Sequence, residues 1–451
     1  MRGSLSSSLN SFGRRSQLLI KRVDNIIMIE NFLTNCKKRL VVSCLSVFCV
    51  AILHAQSFSI VVDNPSKTDK KDAPVVLKLK DYTSNRVRSA VVTCNGKEIP
   101  SQLDDLNHDG VNDELCFLVD LKKKDLQTYN ITLSDQGRQK RYPSRVYVDM
   151  MISNKKIKES NKQNLYISQL TVENGTNVYS MLHHHGAAFE SELVAYRIYF
   201  DHRQTVDIYG KYRKGLELKE TQFYPDNTQK ANGYGDDVLW VGETLGLGSF
   251  RGWNGDSPTM LTDVDHRSQR IIANGPLRTI VEVVDEGWAV NTPKAFEGKD
   301  EDRITVKALY TLYAGHRDCS VDITFCGDQP EQKFSTGLIN VKNSTEYSDK
   351  KGLRGCWGID WPVSEKDSAG HKRETVGLGI CIPQKYIVSE QPANKNNYAF
   401  VISPKDHFLH YDIIFASDNE SFGYHSDKEW YHFLKEWKKD LAQPLVFKRK
   451  D

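Results

Sequence analysis

The chain lacks the signatures of the common catalytic folds. It has no P-loop, no dinucleotide fingerprint, no G-x-S-x-G elbow and no H-E-x-x-H. No two cysteines stand as C-x-x-C, which removes zinc ribbons and thioredoxin-like motifs. A repeat of fixed period is missing, which argues against a propeller. Excess charge is small: 61 basic and 58 acidic residues give +3, too little for a nucleic-acid binder. Wholesale disorder and collagen-like repeats are excluded by 39% hydrophobic and 26% charged residues.

What is present begins with a targeting pattern. Residues 1–27 fit no signal and read as an over-extended start; residues 28–55 read as a signal peptide. Lys37, Lys38 and Arg39 form its positive region, the apolar run Leu40 to Leu53 comes next, and Ala55 precedes a cleavage site before Gln56. The run is short for a bilayer span, so a membrane anchor is the lesser alternative and stable membrane insertion after cleavage is not expected. The expected location is periplasmic or secreted. Beyond residue 55 the chain carries 53 basic and 56 acidic residues, hence −3. Of nine cysteines, Cys36, Cys44 and Cys49 leave with the leader. The other six permit disulfides in an exported protein, but they read better as buried thiols in strands.

The 451 residues suit two or three ordinary domains or one large all-β unit. The 20 Tyr, 18 Phe and 7 Trp favour strands and also make sugar-binding surfaces. Period-two runs such as Phe58–Val62, Val75–Leu79, Leu193–Phe200, Ile304–Leu312 and Phe408–Phe415 recur between polar turns. The expected fold is all-β: a large antiparallel β-sandwich with a C-terminal helix. An N-terminal β region over 56–142 should continue into a larger sandwich over 143–451. The helix starts at a capping box, Ser426 to Glu429, carries an apolar stripe of Trp430, Phe433, Leu434, Trp437 and Leu441, and ends at Pro444. Lys211 to Asp263 is too long for a simple connection, and long loops are often functional.

The densest polar segment runs from His183 to Lys211. Arg197, Tyr199 and Asp201 share one face of a regular strand; Asp207, Tyr209 and Lys211 share a face of the next. A connecting loop of three or five residues brings the faces together; one of four does not. Such a face suits sugar hydroxyls and a uronate carboxylate. The bland alternative is a cross-strand ion-pair ladder on a solvated face. His183, His185 and Glu190 have H-x-H-x4-E spacing, which suits a metal only weakly without a second motif. A histidine acting as general acid or base is the other functional reading.

Asp105, Asn107, Asp109 and Asp113 follow D-x-N-x-D-G-x-x-D, the oxygen-rich start of a calcium loop. Position twelve is Cys116, so the bidentate Glu is missing, and an Asx-rich hairpin turn competes with a Ca²⁺ site. Trp240 and Trp253 lie among glycines in the long loop region, placed either to stack on pyranose faces or to plug the sandwich end.

The stretch Phe189 to Lys211, the segment Asp237-Val-Leu-Trp-Val-Gly, Leu-Gly-Leu-Gly-Ser-Phe and the Asp105 loop together resemble a secreted bacterial family called domain of unknown function 4861. The resemblance covers about Ser57 to Lys448. It implies a galactose-mutarotase-like β-supersandwich, and similarity to proteins encoded beside glycan-degrading enzymes of Bacteroidetes. The family name carries no activity, and a fold does not choose a chemistry.

The expected function is therefore a periplasmic carbohydrate-active protein for uronate-containing oligosaccharides, a lyase or a hydrolase. Alternatives are a non-catalytic glycan-binding protein and a sugar epimerase. His185, Glu190, Tyr199 and Asp207 are the catalytic candidates. Arg197, Tyr209, Lys211, Trp240 and Trp253 are the substrate-binding candidates. In a lyase Arg197 or Lys211 would neutralise the uronate, and Tyr199, Tyr209 or His185 would move the C5 proton. In a hydrolase Glu190 or Glu192 with Asp201 or Asp207 would form the carboxylate pair.

Overall fold

Alternating burial organises the chain from its first strand. In Ala55–Asp63, Phe58, Ile60 and Val62 point inward and their neighbours outward. The computed structural model describes residues 55–154, 163–290, 303–327 and 332–450. The over-extended start, nearly all of the signal peptide and the three leader cysteines lie outside the described residues. From Ala55 onward the chain forms one compact unit. Among the described residues no helix is long and apolar enough to cross a membrane.

A first sandwich pairs Ala55–Asp63 with Leu126–Ser134, next to which lie Ser89–Cys94 and Lys97–Ile99. Its second sheet holds Lys70–Lys78, Glu114–Leu121 and Ser101–Asp104. Ile60, Val75, Leu77, Phe117 and Ile131 fill the space between. The outer edge of the first sheet is the end of the chain: Val446–Lys450 returns to pair with Ala55–Asp63, Phe447 opposite Val62.

The larger body is built on a nine-stranded antiparallel sheet that runs from Gln169–Glu173 to Thr345–Ser348, with Arg303–Tyr313 among its inner strands. Its inner face shares one core with two five-stranded sheets, as Val281, Val306, Tyr310 and Ile413 join Tyr196, Ile198, Ile208, Phe334 and Phe400. One of these smaller sheets orders Asp236–Asp237, Val206–Gly210, Ala195–Tyr199, Gly186–Ser191 and Val146–Asp149. The all-β class, the antiparallel pairing and the C-terminal helix expected from sequence are all present.

The helix Asp427–Leu441 lies on the outer face of the nine-stranded sheet. Ser426 caps it by accepting from Glu429 N at 3.3 Å. The Glu429 carboxylate reaches one residue further back than a regular capping box, to His425 N at 2.9 Å. Glycines on the sheet let the helix sit close: a Cβ on Gly355 would stand 2.3 Å from Leu434 Cδ1, and one on Gly377 2.8 Å from Trp430 Cδ2. All six cysteines from Cys94 to Cys381 are free thiols, and only Cys326 is exposed.

Candidate functional site

The site is built on the outer face of the smaller sheet that contains Ala195–Tyr199 and Val206–Gly210. The hairpin connection brings the two polar strand faces together: Arg197 stands directly opposite Asp207, and Ala195 opposite Tyr209. The face is not solvated, contrary to the ladder alternative. Every residue of both strands is buried, because the segment after Lys211 folds back over them and places Leu218 and Phe223 on Ala188, Ala195 and Tyr209.

Two charged clusters result. In the first, the Arg197 guanidinium donates to Asp207 Oδ2 through Nε at 2.9 Å and Nη2 at 2.6 Å. The same Nη2 reaches Asp237 Oδ2 at 2.8 Å, and Nη1 donates to the Tyr224 hydroxyl at 2.9 Å. Phe223 lies under the guanidinium at 4.1 Å. Tyr199 donates to Asp207 Oδ2 at 2.8 Å, and Asp207 Oδ1 accepts Ile208 N at 2.9 Å. Asp207 thus has both oxygens committed, and its side chain is 1% exposed. It acts as an anchor for Arg197 and has no room to serve as the reacting carboxylate expected from sequence. Tyr199, its hydroxyl proton held by Asp207, likewise supports the site and is not placed to move a substrate proton. Asp237 is 18% exposed, and burial together with the Asp207 charge raises its carboxyl well above the usual range.

The second cluster is sealed. Lys211 Nζ spends its three donors on Glu190 Oε2 at 2.5 Å, Ser191 O at 2.7 Å and Gly215 O at 2.6 Å. Glu190 Oε1 also accepts Glu217 N at 2.9 Å and Leu218 N at 2.8 Å. Both side chains are 0% exposed. Lys211 as a uronate binder and Glu190 as a catalytic or metal-binding group are therefore corrected: the pair ties the covering segment to the sheet. Tyr209 is corrected for the same reason. It is buried under Phe223 and hydrogen-bonded to Glu217 at 3.1 Å, so it offers no stacking face.

The histidine row is a single turn, not a strand. His183–His185 form one 3-10 turn, with His184 and His185 at φ 43° and 69°. The expected H-x-H-x4-E geometry is lost, and among the described residues no group of three His, Cys, Asp or Glu is placed to hold a metal. His184 faces Asp149 at 3.0 Å and the Gly186 carbonyl at 3.0 Å. The ring of His185 stacks on Tyr179 at 3.7 Å, with Tyr199 edge-on at 5.9 Å. Its Nδ1 lies 2.9 Å from the Tyr179 carbonyl, which can only accept. The proton therefore sits on Nδ1 and the Nε2 lone pair is open. Burial, with Arg197 and Arg203 nearby, holds this imidazole down at about 4. His183 is held down to about 4 by burial as well; its Nε2 is buried without a partner, and its ring meets Tyr224 at 5.5 Å.

Sequence reasoning missed several members of this group. Arg203 pairs with Asp201 at 2.6 Å and spreads over the rings of Tyr179 at 4.4 Å and Tyr199 at 5.1 Å. Tyr224 accepts from Arg197 and keeps its own proton, because burial raises its pKa. Asp237 and Tyr179 complete the group. Arg203 lies in a turn, and Tyr179, Tyr224 and Asp237 come from loops or a two-residue strand, so none shows a period; Asp237 alone belongs to a motif that carries the family resemblance. Elsewhere, Trp253 is buried and offers no stacking face, whereas Trp240 is 45% exposed. The Asp105 loop closes on its own backbone: Asp105 accepts Asp109 N at 3.2 Å and Gly110 N at 2.7 Å, and Asp113 accepts Leu106 N at 2.7 Å.

Comparison with known proteins bears out the family resemblance. The family described as domain of unknown function (DUF4861) matches residues 62–446. No curated protein matches. An alpha-mannosidase from Enterococcus faecalis V583 is similar over 88% of this chain and 46% of its own, at 9% identity and TM-score 0.45. A glycosyl hydrolase family 38 protein from Enterococcus faecalis is similar over 88% of this chain and 47% of its own, at 8% identity and TM-score 0.46. The chain thus spans just under half the length of these solved structures.

Proposed function

The chain belongs to the DUF4861 family, and from that premise we propose that it is an exported enzyme that cleaves uronate-containing oligosaccharides by β-elimination. The observation that carries the reading is His185. Its Nδ1 proton is fixed on the Tyr179 carbonyl, its Nε2 is open and its pKa is held at about 4, so it is a neutral base at ordinary pH. Near it stands a guanidinium, Arg203, and beside the neighbouring His183 stands a phenol, Tyr224, whose proton is not used within the site.

In this reading Arg203 pairs with the substrate carboxylate and offsets the charge that develops when C5 loses its proton. His185 Nε2 takes that proton. The C5–H electron pair becomes the C4–C5 double bond as the C4–O4 bond breaks, and Tyr224 gives its proton to the departing O4. Arg197, anchored by Asp207 and Asp237, holds the Tyr224 oxygen in place. The hydrolase reading has less support, since the oxygens of Asp207 and Glu190 are already committed to structural partners. The location belongs to the same proposal, and mass analysis of the native protein should find Gln56 at its start.

The test is turnover of uronate oligosaccharides, read by the ultraviolet absorbance of the unsaturated product and by reducing ends. His185→Ala and Tyr224→Phe should each lower kcat by about 10²- to 10⁴-fold. The melting temperature of Tyr224→Phe should stay near that of the unaltered protein. New reducing ends without new absorbance would replace elimination by hydrolysis.

A further inference from the structure

A groove of about 560 Å³ lies beyond the site, lined by Trp240 and Trp361 with Asn340, Asn343, Lys342 and Lys395. Trp240 stands three residues past Asp237 in the chain. Indoles pack well against the apolar face of a pyranose, and amides and ammonium groups suit its hydroxyls and a carboxylate. At 45% exposed, Trp240 is among the most exposed large apolar side chains of the described chain. Neither indole N–H has a hydrogen-bond partner among the described residues. An exposed indole without a polar partner points to a ligand surface rather than to packing.

The groove is held by bonds between its loops. Trp240 N donates to Trp361 O at 2.9 Å, and Trp361 N to Asp360 Oδ1 at 2.8 Å. Asp360 Oδ2 accepts Lys342 N at 3.2 Å, so the carboxylate ties two loops of the groove together. Asn340 binds the turn that carries Lys395, through its N to Asn396 O at 2.9 Å and its Nδ2 to Asn394 O at 2.6 Å. The cations are loosely held: Lys342 has a single acidic neighbour, Glu365, at 3.5 Å, and Lys395 has none among the described residues. The guanidinium of Arg373 adds a third positive group, 5.0 Å from the Trp361 ring. A groove whose loops are tied together by hydrogen bonds before the ligand arrives binds with less ordering cost.

We propose that this groove is a second sugar-binding platform, which stacks an acidic oligosaccharide on Trp240 and Trp361 and pairs its carboxylates with Lys395 and Lys342. The inference rests on the proposed function only for the class of ligand; it does not need the elimination chemistry. It gives the protein a hold on long chains that the His185 site alone lacks.

The experiment measures Kd for tetragalacturonate and tetraguluronate, with neutral maltotetraose as control, by calorimetry on the full chain carrying Tyr224→Phe so that turnover is slowed. Trp240→Ala and Trp361→Ala should each weaken acidic tetrasaccharide binding about tenfold. Trp240→Phe should recover part of the loss, and Lys395→Ala should weaken the acidic sugars severalfold while reducing the salt dependence of their binding. In the otherwise unaltered protein, Trp240→Ala should raise KM for tetrasaccharides more than for disaccharides. Unchanged affinity in both tryptophan variants, or no binding of either acidic tetrasaccharide, overturns the platform. If these losses appear in a protein that never forms unsaturated product, the platform stands and the elimination reading falls.

Discussion

Two sheet faces that point away from the main core carry the same kinds of side chain and treat them in opposite ways. On the nine-stranded sheet, His410 sits between Asp322 at 2.8 Å and Asp412 at 3.1 Å, and the histidine and Asp322 stay 30% and 38% exposed. On the smaller sheet, Arg197 and Asp207 are 5% and 1% exposed. Strand pattern does not separate them, since on both faces polar residues stand two apart, Arg197 and Tyr199 on one and His410 and Asp412 on the other. The difference lies in the chain beyond the strands. The segment after Lys211 returns over the smaller sheet and seats Phe223 against the guanidinium; among the described residues no such segment covers His410. A polar strand face becomes a site when a loop closes over it and leaves some groups uncommitted.

The sharpest way to break this comparison is to unseal the covered face. Lys211→Met strands the Glu190 carboxylate, whose pKa burial already pushes up, and should cost about 3–5 kcal/mol. Adding Glu190→Gln should recover much of that cost, because the stranded charge is removed. Urea unfolding reads both. An unchanged midpoint for Lys211→Met would mean that the cover is not held by this pair.

The two histidine environments give the next largest effect, and it runs in opposite directions. Burial works against charge on His410, yet hydrogen bonds to Asp322 and Asp412 carry its pKa up to about 10. Its contribution to stability is full below the unfolded value near 6.5 and is lost as pH rises toward 10. His185 is held down at about 4, so its neutral form is favoured in the fold. That contribution is present above about 6.5 and lost as pH falls toward 4. His410→Asn should therefore lower the melting temperature most near pH 6, with the gap closing above pH 10. His185→Asn should differ most from the unaltered protein above pH 6.5, with the gap closing near pH 4. Parallel curves for either pair would refute the assignment. Activity should track the same base, falling only as pH approaches 4.

Much of the fold was legible because period-two burial derives directly from strand geometry, as in Arg303–Tyr313, where every second residue is buried. The helix was legible from Ser426 and its apolar stripe. Val446–Lys450 was not, since Val-Phe-Lys-Arg-Lys offers little alternation and its partner strand lies at the opposite end of the chain. For the site, Arg197, Tyr199 and Asp207 could be placed on one face from their spacing. Their burial could not, because it depends on where the segment after Lys211 travels, and no local pattern encodes that. For the same reason Lys211 and Glu190 looked like ligands when they are a latch.

The smallest effect belongs to the Asp105 loop, which tests whether a carboxylate cluster outside the covered face behaves as a site at all. Calcium needs about six to eight oxygens. Here Asp105 spends both oxygens on the amides of Asp109 and Gly110, Asn107 Oδ1 takes Asp109 N at 2.9 Å, and Asp109 Oδ1 takes Val111 N at 2.8 Å. These are the bonds of an Asx turn, and they hold the loop without an ion. Asp105→Ala removes two of them at a half-buried position, so it should cost about 1 kcal/mol. Chelator should leave the melting temperature of both proteins unchanged. A drop on chelation, abolished by Asp109→Ala, would reverse the reading: these carboxylates would then be Ca²⁺ ligands, and the small cost of Asp105→Ala would be the loss of a metal rather than of a turn.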